Sequence, residues 1–309
     1  MDVSFYTLRS DFDGLGISVA EVSPDSPPVA LVQLAHGMCG SKDRFLPFMQ
    51  YMAERGVASI ANDHRGHGAS VRNEDDLGYM YDGGQDAMVD DMRMVSDHIK
   101  KKYPDLPLYV VGHSMGSLVL RAYMKKYADR LEGAVLCGSP GYSPAVPVGY
   151  ALADLMCRLG FGHRRPAVSQ KLTSGMYNRP FSAEGDNAWI CSDQEARQVF
   201  SIDPKHNFRF TYNGSRCLMG LMQQAYSCKG WLVRRPDLPV LFLAGEDDSC
   251  AGGPSGIGKA AAVMHEAGYR RISIKIYPAM RHEVLNEVGK ERVWRDIMDF
   301  IGVRPICRP

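Results

Sequence analysis

The chain carries a serine between glycines, Gly112-His113-Ser114-Met115-Gly116, directly after the apolar run from Leu108 to Val111 and before the helix-like run from Ser117 to Tyr127. At a strand-to-helix turn of this kind the glycines allow a sharp bend, and the serine hydroxyl projects at a helix N-terminus. A hydroxyl is a weak nucleophile until a base takes its proton, and that base needs a carboxylate to orient it. Both arrive later in the chain. Glu246, Asp247 and Asp248 follow the strand-like run from Val240 to Ala244, and His282 follows the run from Ile272 to Ile276. Asp248 is the expected acid because it lies far enough beyond Gly245 for one turn to aim it; Asp247 and Glu246 remain alternatives that are expected to face solvent. The chemistry of such a set is acyl transfer through a serine.

Acyl transfer also needs backbone donors for the oxyanion of its tetrahedral intermediate. The run Ala30 to Ala35 leads into His36-Gly37-Met38, where a glycine permits close approach, so the N–H groups of Met38 and Met115 form the candidate pair. The segment Asp63-His64-Arg65-Gly66-His67-Gly68 has the residue types of a metal cluster. Its crowded spacing in a glycine-rich loop fits a hydrogen-bonded turn better, and no metal or other cofactor is expected.

The elements that must position these residues read as an α/β chain. Strand-like runs at Val29 to Leu34, Ala58 to Ala61, Leu108 to Val111, Gly133 to Cys137, Val240 to Ala244 and Ile272 to Ile276 are mostly apolar throughout, as parallel strands covered on both faces should be. Helical spacing fills the gaps at Phe45 to Arg55, Gln85 to Tyr103, Ser117 to Tyr127, Gly256 to Ala267 and Glu291 to Ile301. The pattern breaks between about 141 and 236, where Val148, Ala151, Leu152, Leu155, Met156 and Leu159 fall on one helical face and a second helix is expected from Ser215 to Tyr226. The expected organisation is therefore a core in two parts, 1–140 and 237–309, interrupted by a mostly helical insertion at 141–236 over the carboxyl edge of the sheet, where ligands bind in open α/β folds. The apolar face of its first helix has three readings: packing on the core, roofing a pocket, or touching a lipid surface.

Composition narrows the partners. With 309 residues, 36 basic against 35 acidic side chains and a net charge of +1, the chain has no electrostatic footprint for nucleic acid. A small-molecule partner is expected. The eight cysteines show neither CxxC nor zinc-finger spacing and read as buried or incidental thiols. The longest apolar stretch, from Val146 to Phe161, contains Pro147, Gly149, Asp154, Arg158 and Gly160 and is not a conventional membrane span. The first residues show no basic start and no apolar run, so a cytoplasmic location is expected.

The order Ser, Asp, His is that of the α/β-hydrolases. The chain further resembles their bacterial lysophospholipase and monoacylglycerol lipase branch, which has serine-aminopeptidase-like members. The resemblance rests on HGM at His36, DHRGHGAS from Asp63, GHSMGS from Gly112, GEDD from Gly245 and RHEVLNE from Arg281, with NRPF from Asn178 and DPKHNFRFTYNG from Asp203 in the insertion. It implies an α/β-hydrolase fold, a mostly parallel central sheet flanked by helices with an inserted helical lid. It also implies Ser114 as nucleophile, Asp248 as acid, His282 as base, and Met38 and Met115 as oxyanion donors. Where that branch usually shows Glu-His and then Arg-Tyr, this chain has Gly40, Ser41, Arg44 and Phe45. Arg44, a candidate substrate-binding residue, is kept without its usual acidic partner; Ser249 stands where a proline commonly follows the acid. The expected function is cofactor-free hydrolysis of carboxylic esters, with an acyl chain beneath the lid. One alternative is peptide hydrolysis at a free amino terminus, which would need acidic groups such as Asp154, Glu184 or Asp186 in the pocket. Another is a non-catalytic ligand-binding module.

Overall fold

The computed structural model describes residues 1–166, 175–203 and 205–303. Its centre is an eight-stranded sheet of order β1-β2-β4-β3-β5-β6-β7-β8. Six strands form the parallel part: β3 (Ala30–Ala35), β4 (Val57–Asn62), β5 (Leu108–His113), β6 (Gly133–Cys137), β7 (Val240–Gly245) and β8 (Ile272–Tyr277). Each matches an apolar run of the sequence. The strands β1 (Asp2–Arg9) and β2 (Gly16–Ser23) were not legible in the same way. They pair antiparallel with each other, and β2 pairs antiparallel with β4. β1 sits at the sheet edge and alternates polar with apolar residues, so it lacks the continuous apolar signature of a doubly covered strand.

Alternate side chains of the parallel strands serve two cores. Leu31, Val110, Leu136 and Phe242 face one cluster, which is completed by α2 (Gly84–Lys102), α3 (Met115–Tyr127) and α7 (Gly253–Ala267). Val32, Val111, Val135 and Leu243 face the other, covered by α1 (Leu46–Ala53) and α8 (Glu291–Ile301) through Phe48, Met52, Trp294 and Ile297. Gln33 is a fully buried polar residue within β3; its amide donates to Met92 O at 3.0 Å and accepts from Ser96 Oγ, which satisfies it.

Between β6 and β7 the described chain is helical. It contains α4 (Val146–Met156), a π-turn at Cys157–Phe161, a 3₁₀ stretch at Arg179–Glu184, α5 (Gln194–Ile202) and α6 (Tyr212–Ala225). Thr211 caps α6 by accepting from Gly214 N–H, and the Asn213 side chain bridges Met80 N–H and Tyr81 O of the core. The apolar stripe of the first insertion helix points outward: Val148, Leu152, Leu155 and Leu159 are 73%, 58%, 52% and 59% exposed. It therefore does not pack on the core. No helix among the described residues is long and apolar enough to cross a membrane. The seven described cysteines are free thiols; Cys307 and Pro204 lie outside the described residues.

Candidate active site

Ser114 links β5 to α3 with φ 52° and ψ −120°, a left-handed conformation that costs a non-glycine residue about 1–3 kcal/mol. The bend is held by Ser114 N–H donating to Cys137 O at 2.9 Å on the neighbouring strand. It also depends on Gly116, where a Cβ would lie 2.1 Å from Ala35 O, so only glycine lets the start of α3 rest on the end of β3. The result is a hydroxyl held at a helix N-terminus by a backbone that cannot relax.

His282 and Asp248 come to this hydroxyl from the two loops foreseen. His282 Nε2 lies 2.8 Å from Ser114 Oγ, and His282 Nδ1 lies 3.0 Å from both Asp248 carboxylate oxygens. Asp248 Oδ1 also accepts the N–H groups of Cys250 and Ala251 at 3.0 Å. An ionised Asp248 fixes the histidine proton on Nδ1 and leaves Nε2 to accept from the serine. Glu246 and Asp247 are exposed, whereas Asp248 is fully buried.

The surroundings set the charge states. Burial pushes the Asp248 carboxyl upward, but His282 and the Ala251 N–H outweigh it and hold the group below the ordinary carboxylate range. Burial likewise pulls the His282 imidazole down, and Asp248, with Glu283 adding to it, raises it above its ordinary value. His113, whose ring packs 5.0 Å from that of His282, is driven down to about 4 by burial and by His282. It is a neutral spacer, its Nε2–H donating to the His282 carbonyl at 3.1 Å.

The turn after β3 abuts this set: a Cβ on Gly37 would lie 2.9 Å from Ser114 Cβ. Met115 is the first residue of α3, so its N–H is among the donors that have no partner within the helix. The Asp63 segment forms the hydrogen-bonded turn expected of it. Asp63 Oδ1 accepts Lys42 N–H at 2.8 Å, Oδ2 accepts Ala69 N–H at 2.9 Å, and Ser70 Oγ donates to Asp63 O at 2.8 Å.

The sequence reading missed one feature of the site. Arg44 has an acidic partner after all: its guanidinium pairs with Glu283, the residue next to His282, and Asn286 Nδ2 donates to the same carboxylate oxygen at 3.2 Å. The carboxylate comes from the RHEVLNE segment rather than from position 40, so reading along the first loop alone did not find it. Burial raises the Glu283 carboxyl, but Arg44 wins and holds it low.

Residues of the insertion are riveted to both loops. Arg281 donates to Ala188 O at 2.7 Å and to Glu184 at 2.6 and 2.9 Å, and Glu283 N–H donates to Ile190 O at 2.8 Å. Ser249 Oγ donates to Tyr177 O at 2.8 Å on the acid loop, and the Trp189 indole packs 5.0 Å from the His282 ring.

This arrangement has relatives. Residues 26–289 match the family described as "Serine aminopeptidase, S33". The chain belongs to that family. Similarity to lipases and esterases runs along most of the chain. A monoacylglycerol lipase of Mycolicibacterium smegmatis is 26% identical over 96% of this chain and 98% of its own length. A monoglyceride lipase homolog of monkeypox virus is 24% identical over 90% and 91%. Among solved structures, a thermostable carboxyl esterase from Bacillus coagulans in complex with glycerol superposes with a TM-score of 0.90 at 25% identity, covering 98% of this chain and 99% of that one. The fold is that of the α/β-hydrolases.

Proposed function

We propose that the protein is a serine hydrolase of carboxylic esters, acting through an acyl-enzyme on substrates that carry an acyl chain, as its monoacylglycerol lipase relatives do by name. The observation that carries this reading is the continuous chain Ser114 Oγ, His282, Asp248 at 2.8 and 3.0 Å. Ser114 Oγ attacks the ester carbonyl while His282 Nε2 takes its proton. The oxyanion is received by Met38 N–H and Met115 N–H. The imidazolium returns the proton to the departing alkoxide; His282 then takes a proton from water as its oxygen attacks the acyl carbon, and the second tetrahedral intermediate collapses with that proton passing from His282 to Ser114 Oγ as the acid leaves. Asp248 stays ionised throughout.

Residues 141–236 act as a lid in this reading. Ser114 is only 8% exposed and His282 3%, so a substrate reaches them after displacement of the insertion. The outward stripe of α4 supports transient contact with a lipid surface, where such substrates reside; Arg158, Arg164 and Arg165 flank it with exposed basic groups. The free thiols support a reducing compartment, the cytoplasm.

Ester over amino-terminal peptide hydrolysis is favoured by how the insertion's acids are used. Asp154 pairs with Arg158 and Arg216, and Glu184 pairs with Arg281 and Arg197, so these two are neutralised rather than offered to an ammonium group, and the third candidate, Asp186, is exposed at the surface. The test is a side-by-side assay of p-nitrophenyl acyl esters, monoacylglycerols and aminoacyl amides, with fluorophosphonate labelling of Ser114. Faster turnover of aminoacyl amides than of acyl esters would overturn the substrate class, and absence of both labelling and turnover would favour a binding module.

A further inference from the structure

We infer that His36 is a positioning residue for the oxyanion site, acting as a clamp on the peptide that joins Gly37 to Met38. The inference rests on the ester-hydrolase reading and goes beyond it, because His36 touches none of the triad atoms.

The geometry fixes the state of the imidazole. His36 Nε2 lies 2.9 Å from the backbone N–H of His64, which can only donate, so Nε2 must accept and carries no proton. The single proton of the neutral ring then sits on Nδ1, which lies 2.8 Å from Gly37 O and donates to it. His36 is 2% exposed, and burial first, then neighbouring His64, drives its basicity well below the ordinary value, so the ring stays neutral. A second donor reaches the same carbonyl: Gly40 N–H lies 3.0 Å from Gly37 O.

The consequence follows from peptide planarity. Gly37 C=O and Met38 N–H belong to one rigid amide, and in the trans form they point in opposite directions. Two donors holding the oxygen therefore fix the direction of the Met38 N–H. The unit stands against Ser114, as the 2.9 Å approach at Gly37 demonstrates. Preorganised donors stabilise a developing oxyanion because they need no reorientation as the charge forms. Through its bond with His64, the His36 ring also ties this turn to the loop after β4, whose own bonds to Lys42 and Ala69 are already made. Gly40 completes the arrangement. A Cβ there would lie 3.0 Å from Gly37 O and 3.2 Å from His36 Nδ1, crowding the clamp itself. The glycine at the position where relatives were expected to carry glutamate thus leaves room for both donors.

The experiment combines one measurement on the unaltered protein with two variants. Histidine-selective ¹⁵N NMR on the full chain should find His36 as the neutral Nδ1–H tautomer at neutral pH; an Nε2–H tautomer or an imidazolium would overturn the inference. His36→Leu keeps the bulk without the donor. Its kcat on an acyl ester should fall about 10- to 100-fold, part of the cost of losing an oxyanion donor outright, with KM changed less than about threefold. Inhibition by a trifluoromethyl ketone, whose adduct carries the oxyanion, should weaken by the same factor. His36→Asn places an amide N–H where Nδ1 was and should recover most of both losses. An unchanged kcat in folded His36→Leu, a loss confined to KM, or an Asn variant no better than Leu would each refute the clamp. Should His36→Leu fail to fold, the Asn variant and the tautomer decide. Absence of ester turnover in the unaltered protein would count against the ester-hydrolase reading, and the tautomer would still decide the clamp.

Discussion

Arg44 and Glu283 form a buried ion pair across 239 residues of chain, joining the loop after β3 to the residue beside His282. Their side chains are 14% and 8% exposed. Removing one partner leaves the other charge in a poorly solvated place. Glu283→Gln should therefore destabilise the fold by about 3 kcal/mol, near the low end for buried pairs because Arg44 keeps some solvent. Replacing both, Arg44→Met with Glu283→Leu, should recover at least half of that loss. Urea unfolding of Glu283→Gln, of Arg44→Met and Glu283→Leu singly, and of the double measures these numbers, and additive losses in the last three would disprove the coupling.

The strained serine yields a prediction in which stability and activity part. Ser114→Ala and Ser114→Gly should both lose ester turnover by about a thousandfold or more, since no nucleophile remains. The glycine variant should nevertheless melt at a higher temperature than the alanine variant, because only glycine tolerates φ near 52° without strain. Equal melting temperatures would mean that the bend stores no strain.

His282 must be neutral to take the serine proton, and Asp248 stabilises its charged form. Its basicity lies above the ordinary histidine value of about 6.5, so kcat/KM should be lost as pH falls through an apparent pKa above 6.5. Asp248→Asn removes the stabilising charge. The acidic limb should move to lower pH while kcat falls by about 10⁴-fold, as the imidazole loses its orienting acceptor. A limb that stays in place in the variant would show that another group titrates.

The exposed stripe of α4 should matter only at a lipid surface. A variant carrying Leu152→Ser and Leu155→Ser should bind vesicles of mixed zwitterionic and anionic lipid several-fold more weakly in co-sedimentation. Its turnover of a water-soluble p-nitrophenyl ester should stay unchanged, and its stability within about 0.5 kcal/mol, since both side chains already face solvent. Undiminished vesicle binding would remove the stripe from any membrane role.

The sequence by itself determined the parallel strands, the elbow at Ser114 and the order of acid and base. Each of these is a local pattern: an unbroken apolar run, glycines at fixed offsets, a polar cluster at a strand end. It left β1 and β2 unseen: β1 lies at the sheet edge, half solvated and without a continuous apolar signal, and β2, though inside the sheet, breaks its apolar run with Ser18, Glu21 and Ser23. Among the acids at 246–248 the sequence favoured Asp248 by its distance from Gly245, and the tertiary structure adds that this is the carboxylate the turn carries inward to meet His282. It alone revealed Glu283 as the partner of Arg44 and His36 as the holder of the Gly37 carbonyl. It also decided that the stripe from Val148 to Leu159 faces outward, which periodicity cannot tell: a helix pattern specifies which residues share a face, and only the packing of α4 against its neighbours specifies where that face points.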